Sequence, residues 1–189
     1  MEQKKLEVES TKYNSIVLNN RELCDLELLL NGGFSPLEGF LKQNDYNSVL
    51  DNLRLESGEL WPMPIVLAKK DQEFSEGETI HLCNNENLPI AKMFLESIYQ
   101  PNLDHECQSV FGSTDTNHPY IQIIKNREGL VYLGGKVEKV HGVPHFDFEE
   151  LRLTPSQTKE FFKENGWDTV VGFQTRNPMH KSHYFLSKY

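Results

Sequence analysis

Near the C-terminal end of this 189-residue chain, Thr169-Val170-Val171-Gly172-Phe173 forms a near-continuous apolar, β-branched run. A strand of that composition is apolar on both faces, which suits the interior of a parallel sheet covered by helices. Pro178 biases Asn177 away from helical geometry but itself fits a first turn, so Asn177 is the predicted cap of a helix running to Tyr189. On that helix Met179, Ser182, Leu186 and Tyr189 share the face expected to turn toward a core. Upstream, Thr154-Pro155-Ser156-Gln157 combines a capping-box spacing with proline at the first helical position, and Phe161 and Phe162 follow before a stop at Asn165-Gly166. The order is helix, buried strand, polar loop, helix.

The first 153 residues have a different character. Asn19 or Asn20 can cap a helix through Leu23, Leu26, Leu29 and Leu30, ended by Asn31-Gly32-Gly33. A second helix is predicted from Tyr46 to Leu53 with Asp45 as its cap. The runs Pro64–Ala68, Glu78–Cys83, Leu88–Tyr99, Tyr120–Ile124 and Leu130–Val140 are apolar or alternating, and Gly, Asn, Asp and Pro separate them, as in a β-rich domain with short connections. Two domains are therefore expected, residues 1–153 and residues 154–189, with an α+β architecture leading into α/β.

Lys and Arg total 19 against 28 Asp and Glu, a net charge of −9, which argues against delocalised binding to nucleic acid or anionic lipid. An anionic ligand must find a local basic pocket. Cys24, Cys83 and Cys107 are far apart and form no CxxC pair, so neither a disulfide framework nor a thiolate zinc site is legible. Met1–Leu6 lacks the apolar core of a secretory signal and no segment approaches the length of a membrane span, so a reducing, cytoplasmic setting is expected.

The chemistry concentrates in Gln174-Thr175-Arg176-Asn177-Pro178-Met179-His180-Lys181-Ser182-His183. This segment follows the carboxyl end of the predicted strand and enters the predicted helix, where free N–H groups and the positive dipole end favour anions. His180 and His183, three residues apart, share a helix face and could both reach one phosphate chain. Taken alone, an HxxH pair is as readily surface or core filling. Zinc requires the i, i+4 spacing of HExxH and a further ligand, and here the spacing is i, i+3 with no Glu between, so no metal ligand is assigned. His141 and His145 fit either a metal or a flexible interdomain loop, His118-Pro119 is read as a structural turn, and Trp61 with Pro62 and Pro64 as packing at a strand entry.

Gln174–His183, preceded by Gly166-Trp167-Asp168-Thr169-Val170-Val171-Gly172-Phe173, closely resembles the signature of the ATP sulfurylase (sulfate adenylyltransferase) family. Gly32–Leu41, Leu60–Leu67, the segment from Asp104 through Phe111-Gly112-Ser113 to His118-Pro119, and Asp147-Phe148 with Leu151–Pro155 resemble further family motifs in family order. Small departures are Gly172 where alanine is common, Lys181-Ser182 where Arg-Ala is common, and Ser113 where threonine is common. The resemblance implies an N-terminal PUA-like β-rich domain followed by the first βα unit of a Rossmann-like HxGH nucleotidylyltransferase domain.

It also implies a reaction, MgATP plus sulfate giving adenosine 5′-phosphosulfate and pyrophosphate. Thr175, Arg176 and Asn177 are the implied catalytic residues. Gln174 and Arg176 are implied to bind sulfate, and Gln174, Thr175, Arg176, Asn177, His180 and His183 to bind ATP. Mg²⁺ would arrive with the nucleotide, and the full-length enzyme is expected to be a homo-oligomer with no nucleic-acid or membrane partner. Two alternatives remain: the sulfurylase part of a bifunctional PAPS synthetase, although no P-loop GxxxxGK[ST] occurs, and a non-enzymatic PUA-like RNA-binding module, against which the acidic charge counts.

One βα unit cannot bury itself, because a doubly wound nucleotide-binding sheet needs about five parallel strands with helices on both faces. The family's catalytic domain continues past the histidine pair to a second ATP-binding loop of Gly-Arg-Asp-His type that this sequence lacks. The expectation is that residues 1–153 fold alone, that the segment after Trp167 is poorly ordered in isolation, and that this chain alone neither binds ATP tightly nor turns over.

Overall fold

The computed structural model describes residues 14–70 and 74–188. The readings of Met1–Leu6 and of Tyr189 fall on residues outside those described. The chain separates into two compact units, Met1–Glu149 and Glu150–Tyr189.

In the first unit the elements are β1 (Ser15–Val17), α1 (Asn20–Asn31), β2 (Gly39–Phe40), α2 (Gln43–Asn52), β3 (Leu67–Lys69), β4 (Thr79–Cys83), β5 (Pro89–Phe94), β6 (Ser97–Tyr99), α3 (Leu103–Phe111), α4 (Pro119–Lys125) and β7 (Val131–Lys139). A seven-stranded sheet runs β1-β4-β5-β7-β2, with β3 and β6 also paired to β7. β1 is parallel to β4 and the remaining pairs are antiparallel, so the sheet is mixed. β7 is its spine: Phe40 lies opposite Gly135, Leu67 and Ile98 both pair with Leu133, and Met93 pairs with Val137. So many ladders converge on one strand only if backbones approach closely. A Cβ on Gly39 would stand 1.9 Å from the Gly135 carbonyl oxygen, and one on Gly134 would stand 2.4 Å from that of Leu41. Glycine is the residue that fits there.

Asn19 caps α1 by accepting from the backbone N–H groups of Arg21 and Glu22, while Glu22 accepts from the Asn19 N–H at 2.9 Å. The helix buries Leu26 and Leu29 in one cluster with Leu67, Ile80, Leu82, Met93 and Leu133 of the sheet. A second cluster gathers Tyr46, Val49, Leu50, Tyr99 and Tyr132, in which the three tyrosine rings sit 5.4 to 5.7 Å apart. The Tyr99 hydroxyl donates to the Leu41 carbonyl at 2.9 Å, and those of Tyr46 and Tyr132 meet a buried acid. Glu106, only 2% exposed, accepts from the hydroxyls of Tyr46 at 2.9 Å and Tyr132 at 2.8 Å. The Arg127 guanidinium stands 3.5 Å from the same carboxylate and donates to the Tyr132 hydroxyl at 2.9 Å. Burial first, and then the Glu106 charge, push the Tyr46 and Tyr132 pKa values far above the ordinary phenol value, so both remain donors.

Glu106→Gln replaces one acceptor oxygen of this network with a donor amide facing other donors. It is expected to cost about 2 kcal/mol of stability. Urea unfolding followed by circular dichroism measures this, and an unchanged midpoint would contradict the role given to the carboxylate.

Several sequence expectations need correction. Tyr120–Ile124 is not a strand-like run but lies in α4, which His118 caps through Nδ1 accepting from the Tyr120 N–H at 3.2 Å, with Pro119 in the first turn. Leu88–Tyr99 divides into β5 and β6, because Leu95 and Glu96 turn the chain so that each half meets β7 separately. Asp45 does not cap α2. The helix begins at Gln43 after Lys42, and the Asp45 carboxylate accepts from the Glu56 N–H at 3.0 Å.

A 3-10 turn (Glu149–Leu151) spans the boundary, and the second unit continues with α5 (Pro155–Glu164), whose Thr154 cap and Gln157 partner form the anticipated capping box. The helix stops as its sequence indicates. Gly166 adopts a φ of 65°, its N–H donates to the Lys163 carbonyl, and the Trp167 N–H donates to the Phe162 carbonyl at 3.0 Å. This is a Schellman arrangement, sealed by the indole of Trp167 packing on Phe161 and Phe162.

Thr169–Phe173 is not a strand here. A strand exists through its ladder, and no other segment of this unit is extended beside it among the described residues. The last helix, α6 (Lys181–Leu186), begins later than expected, with His180 rather than Asn177 at its cap. Met179 (55% exposed) and Leu186 (70%), assigned to a core face, lie in solvent in this unit.

Candidate functional site

The polar segment Gln174–His183 is cationic against the charge of the whole chain, since it holds Arg176 and Lys181 and no Asp or Glu. Its backbone is shaped by Thr175, whose Oγ1 accepts from the Asn177 N–H at 3.2 Å and donates to the Asn177 carbonyl at 3.1 Å. That local turn bends the chain at Arg176 and Asn177. The Gln174 and Arg176 side chains are exposed and make no hydrogen bond or ion pair with a described residue.

The two histidines come together. Their ring centroids are 4.1 Å apart with a 36° interplanar angle. The His180 N–H points to Nδ1 of His183 at 3.5 Å, and Ser182 Oγ lies 2.9 Å from His180 Nδ1. The Phe173 ring stands 5.9 Å from His183 and flanks the pair. Ser182 was assigned to a core face by helical spacing; the late helix start turns it to His180 instead. Phe173 and Ser182 therefore orient the imidazoles, a role signalled only by the closeness of Phe173 to the segment and of Ser182 to both histidines in sequence. The segment presents donors and no carboxylate, which matches tetrahedral oxyanions rather than a protein-held divalent cation.

The histidines of the first unit have other duties. His118 caps α4, His141 Nδ1 lies 2.8 Å from the Pro89 carbonyl, and His145 Nε2 pairs with Glu27. Among the described residues no helix is long and apolar enough to cross a membrane.

Comparison with known proteins bears on both units. Residues 1–142 match the family model of the PUA-like domain, and residues 149–189, which contain the whole polar segment, match that of ATP-sulfurylase. The chain belongs to the PUA-like domain family. The sulfate adenylyltransferase of Schizosaccharomyces pombe is 43% identical over 187 residues, covering 96% of this chain and 38% of that protein. That of Gibberella zeae is 43% identical over 191 residues, covering 98% and 33%. The chain thus spans 33 to 38% of the length of these relatives. Among solved structures, the hexameric APS kinase from Thiobacillus denitrificans is similar with a TM-score of 0.71 at 27% identity, covering 94% of this chain and 31% of that one.

Proposed function

We propose that this chain carries the PUA-like domain, residues 1–153, and the opening of the adenylyl-transferring domain, residues 154–189, of a sulfate adenylyltransferase. The observation that carries the reading is the ATP-sulfurylase match over residues 149–189, which embraces the donor-rich segment. Residues 154–189 are read as the start of a Rossmann-like HxGH domain, in which Thr169–Phe173 becomes a strand once parallel neighbours supply its ladder.

A sulfate oxygen attacks the α-phosphorus of ATP in line, so the new O–P bond forms as the bond to pyrophosphate breaks. Sulfate is a weak nucleophile and both reactants are anions, so catalysis rests on positioning and charge stabilisation. Arg176 offers a planar fork to sulfate oxygens, with Gln174 donating beside it. Thr175 and Asn177 donate to sulfate or to the α-phosphate, Thr175 by releasing its bond to the Asn177 carbonyl. His180 and His183 contact the triphosphate and stabilise the departing pyrophosphate. Mg²⁺ belongs to the substrate as MgATP and is held mainly by phosphate oxygens. The hexameric neighbour supports a homo-oligomer, and a cytoplasmic location completes the proposal.

The test is sulfate-dependent exchange of labelled pyrophosphate into ATP. A chimera with this chain in place of its counterpart in the S. pombe relative is expected to catalyse exchange, whereas the 189-residue chain alone is not. A well-folded chimera without exchange would refute the assignment.

A further inference from the structure

The proposed chemistry uses His180 and His183 but gives no role to the serine between them. Ser182 Oγ lies 2.9 Å from His180 Nδ1, hydrogen-bond length for a hydroxyl and an imidazole. Two arrangements share that distance. Either the hydroxyl donates to a bare Nδ1, or an Nδ1–H donates to the hydroxyl.

The start of α6 decides between them. His180 and His183 form a reciprocal capping box, the His180 side chain turned to the His183 backbone N–H and the His183 side chain to that of His180. A backbone N–H only donates, so each ring must meet it with a bare nitrogen. In His183 that nitrogen is Nδ1, 3.5 Å from the His180 nitrogen. Nδ1 is the ring nitrogen nearer its own main chain, and it serves His180 as it serves His118 at the cap of α4. The Ser182 hydroxyl is then the donor to His180 Nδ1. A neutral imidazole carries one proton, so a bare Nδ1 puts that proton on Nε2.

We propose that Ser182 is a positioning residue: by donating to Nδ1 it holds neutral His180 in the Nε2–H tautomer, which offers a hydrogen-bond donor to a phosphate oxygen. The inference rests on the reading of the two histidines as phosphate contacts. The other tautomer would set a bare nitrogen against an anionic oxygen, acceptor against acceptor. The rings stand 4.1 Å apart at 36°, so a turn of His180 also disturbs His183.

Long-range ¹H–¹⁵N correlation spectra distinguish the two tautomers by their ring-nitrogen resonances. They are recorded on the 189-residue chain, with ¹⁵N in its seven histidine rings, and His180→Gln identifies the His180 signals. At about pH 8.5, above the ordinary histidine range, His180 is expected as the Nε2–H tautomer. Ser182 is exposed, so Ser182→Ala is expected to fold normally. It should lower the ratio of Nε2–H to Nδ1–H about fivefold, the usual net worth of one hydrogen bond. Ser182→Thr keeps a hydroxyl and should keep the ratio. In the chimera Ser182→Ala should slow pyrophosphate exchange by a similar factor and Ser182→Thr should retain the rate. A proton on Nδ1 of His180, or a ratio unmoved by Ser182→Ala, would overturn the proposal. So would a shifted ratio with an unchanged exchange rate, which would remove the tautomer from catalysis. The catalytic reading fails separately: an unaltered, well-folded chimera without exchange would refute that reading, while the Ser182-dependent tautomer of the chain would still stand.

Discussion

Gly39→Ala is expected to destabilise the first unit by more than about 4 kcal/mol, enough to prevent cooperative folding in a protein of ordinary stability. The new methyl would lie 1.9 Å from the carbonyl oxygen of Gly135, 2.8 Å from its carbonyl carbon and 2.9 Å from Cα of Lys136. All three are backbone atoms of β7. A side chain could rotate away, but β7 can retreat only by loosening its ladders with β3, β5 and β6. Gly58→Ala is the matched control: φ there is 98°, nothing lies within 4 Å of the new carbon, and a cost near 1 kcal/mol is expected from backbone strain alone. Urea unfolding monitored by circular dichroism separates the two, and equal midpoints would show that β2 and β7 are not in close contact.

Arg176→Ala should lower sulfate-dependent pyrophosphate exchange in the chimera by about 100- to 1,000-fold, or about 3 to 4 kcal/mol, the usual cost of losing one preorganised donor to developing charge. Stability should hardly change, within about 0.5 kcal/mol, because an exposed side chain without partners among the described residues is being removed. The combination is diagnostic. Normal exchange by the variant would remove Arg176 from the site, and a large drop in stability would assign it a structural duty instead.

What the sequence revealed, and what it hid, follows from the range of the forces involved. α1 and α5 were legible because their caps, Asn19 with Glu22 and Thr154 with Gln157, are local hydrogen-bonding devices. β4 and β7 were legible because an apolar run of that length has few other uses. α4 carried a local signal too, His118 followed by Pro119, but its short apolar run resembles a strand. Thr169–Phe173 shows the opposite limit, since β-branched residues favour extension and yet a strand is completed only by its neighbours. The polar segment was visible as a cluster of residue types, whereas its stacked imidazoles depend on where α6 begins. Nothing local distinguishes Glu106 from exposed acids such as Asp104. Its burial is defined by Tyr46 and Tyr132, which approach it from distant parts of the chain.

The convergence of ladders on β7 also orders events during synthesis. β1, β4 and β5 can pair among themselves as soon as Phe94 has emerged, but among the described residues β2, β3 and β6 have no strand partner other than Val131–Lys139. β2, β3 and β6 must therefore wait for a segment translated, in the case of β2, roughly ninety residues later, a delay set by topology rather than by stability. A ribosome stalled just before Val131 would hold a chain with most of its apolar residues made and its sheet still open, the stage at which a chaperone has the most surface to protect.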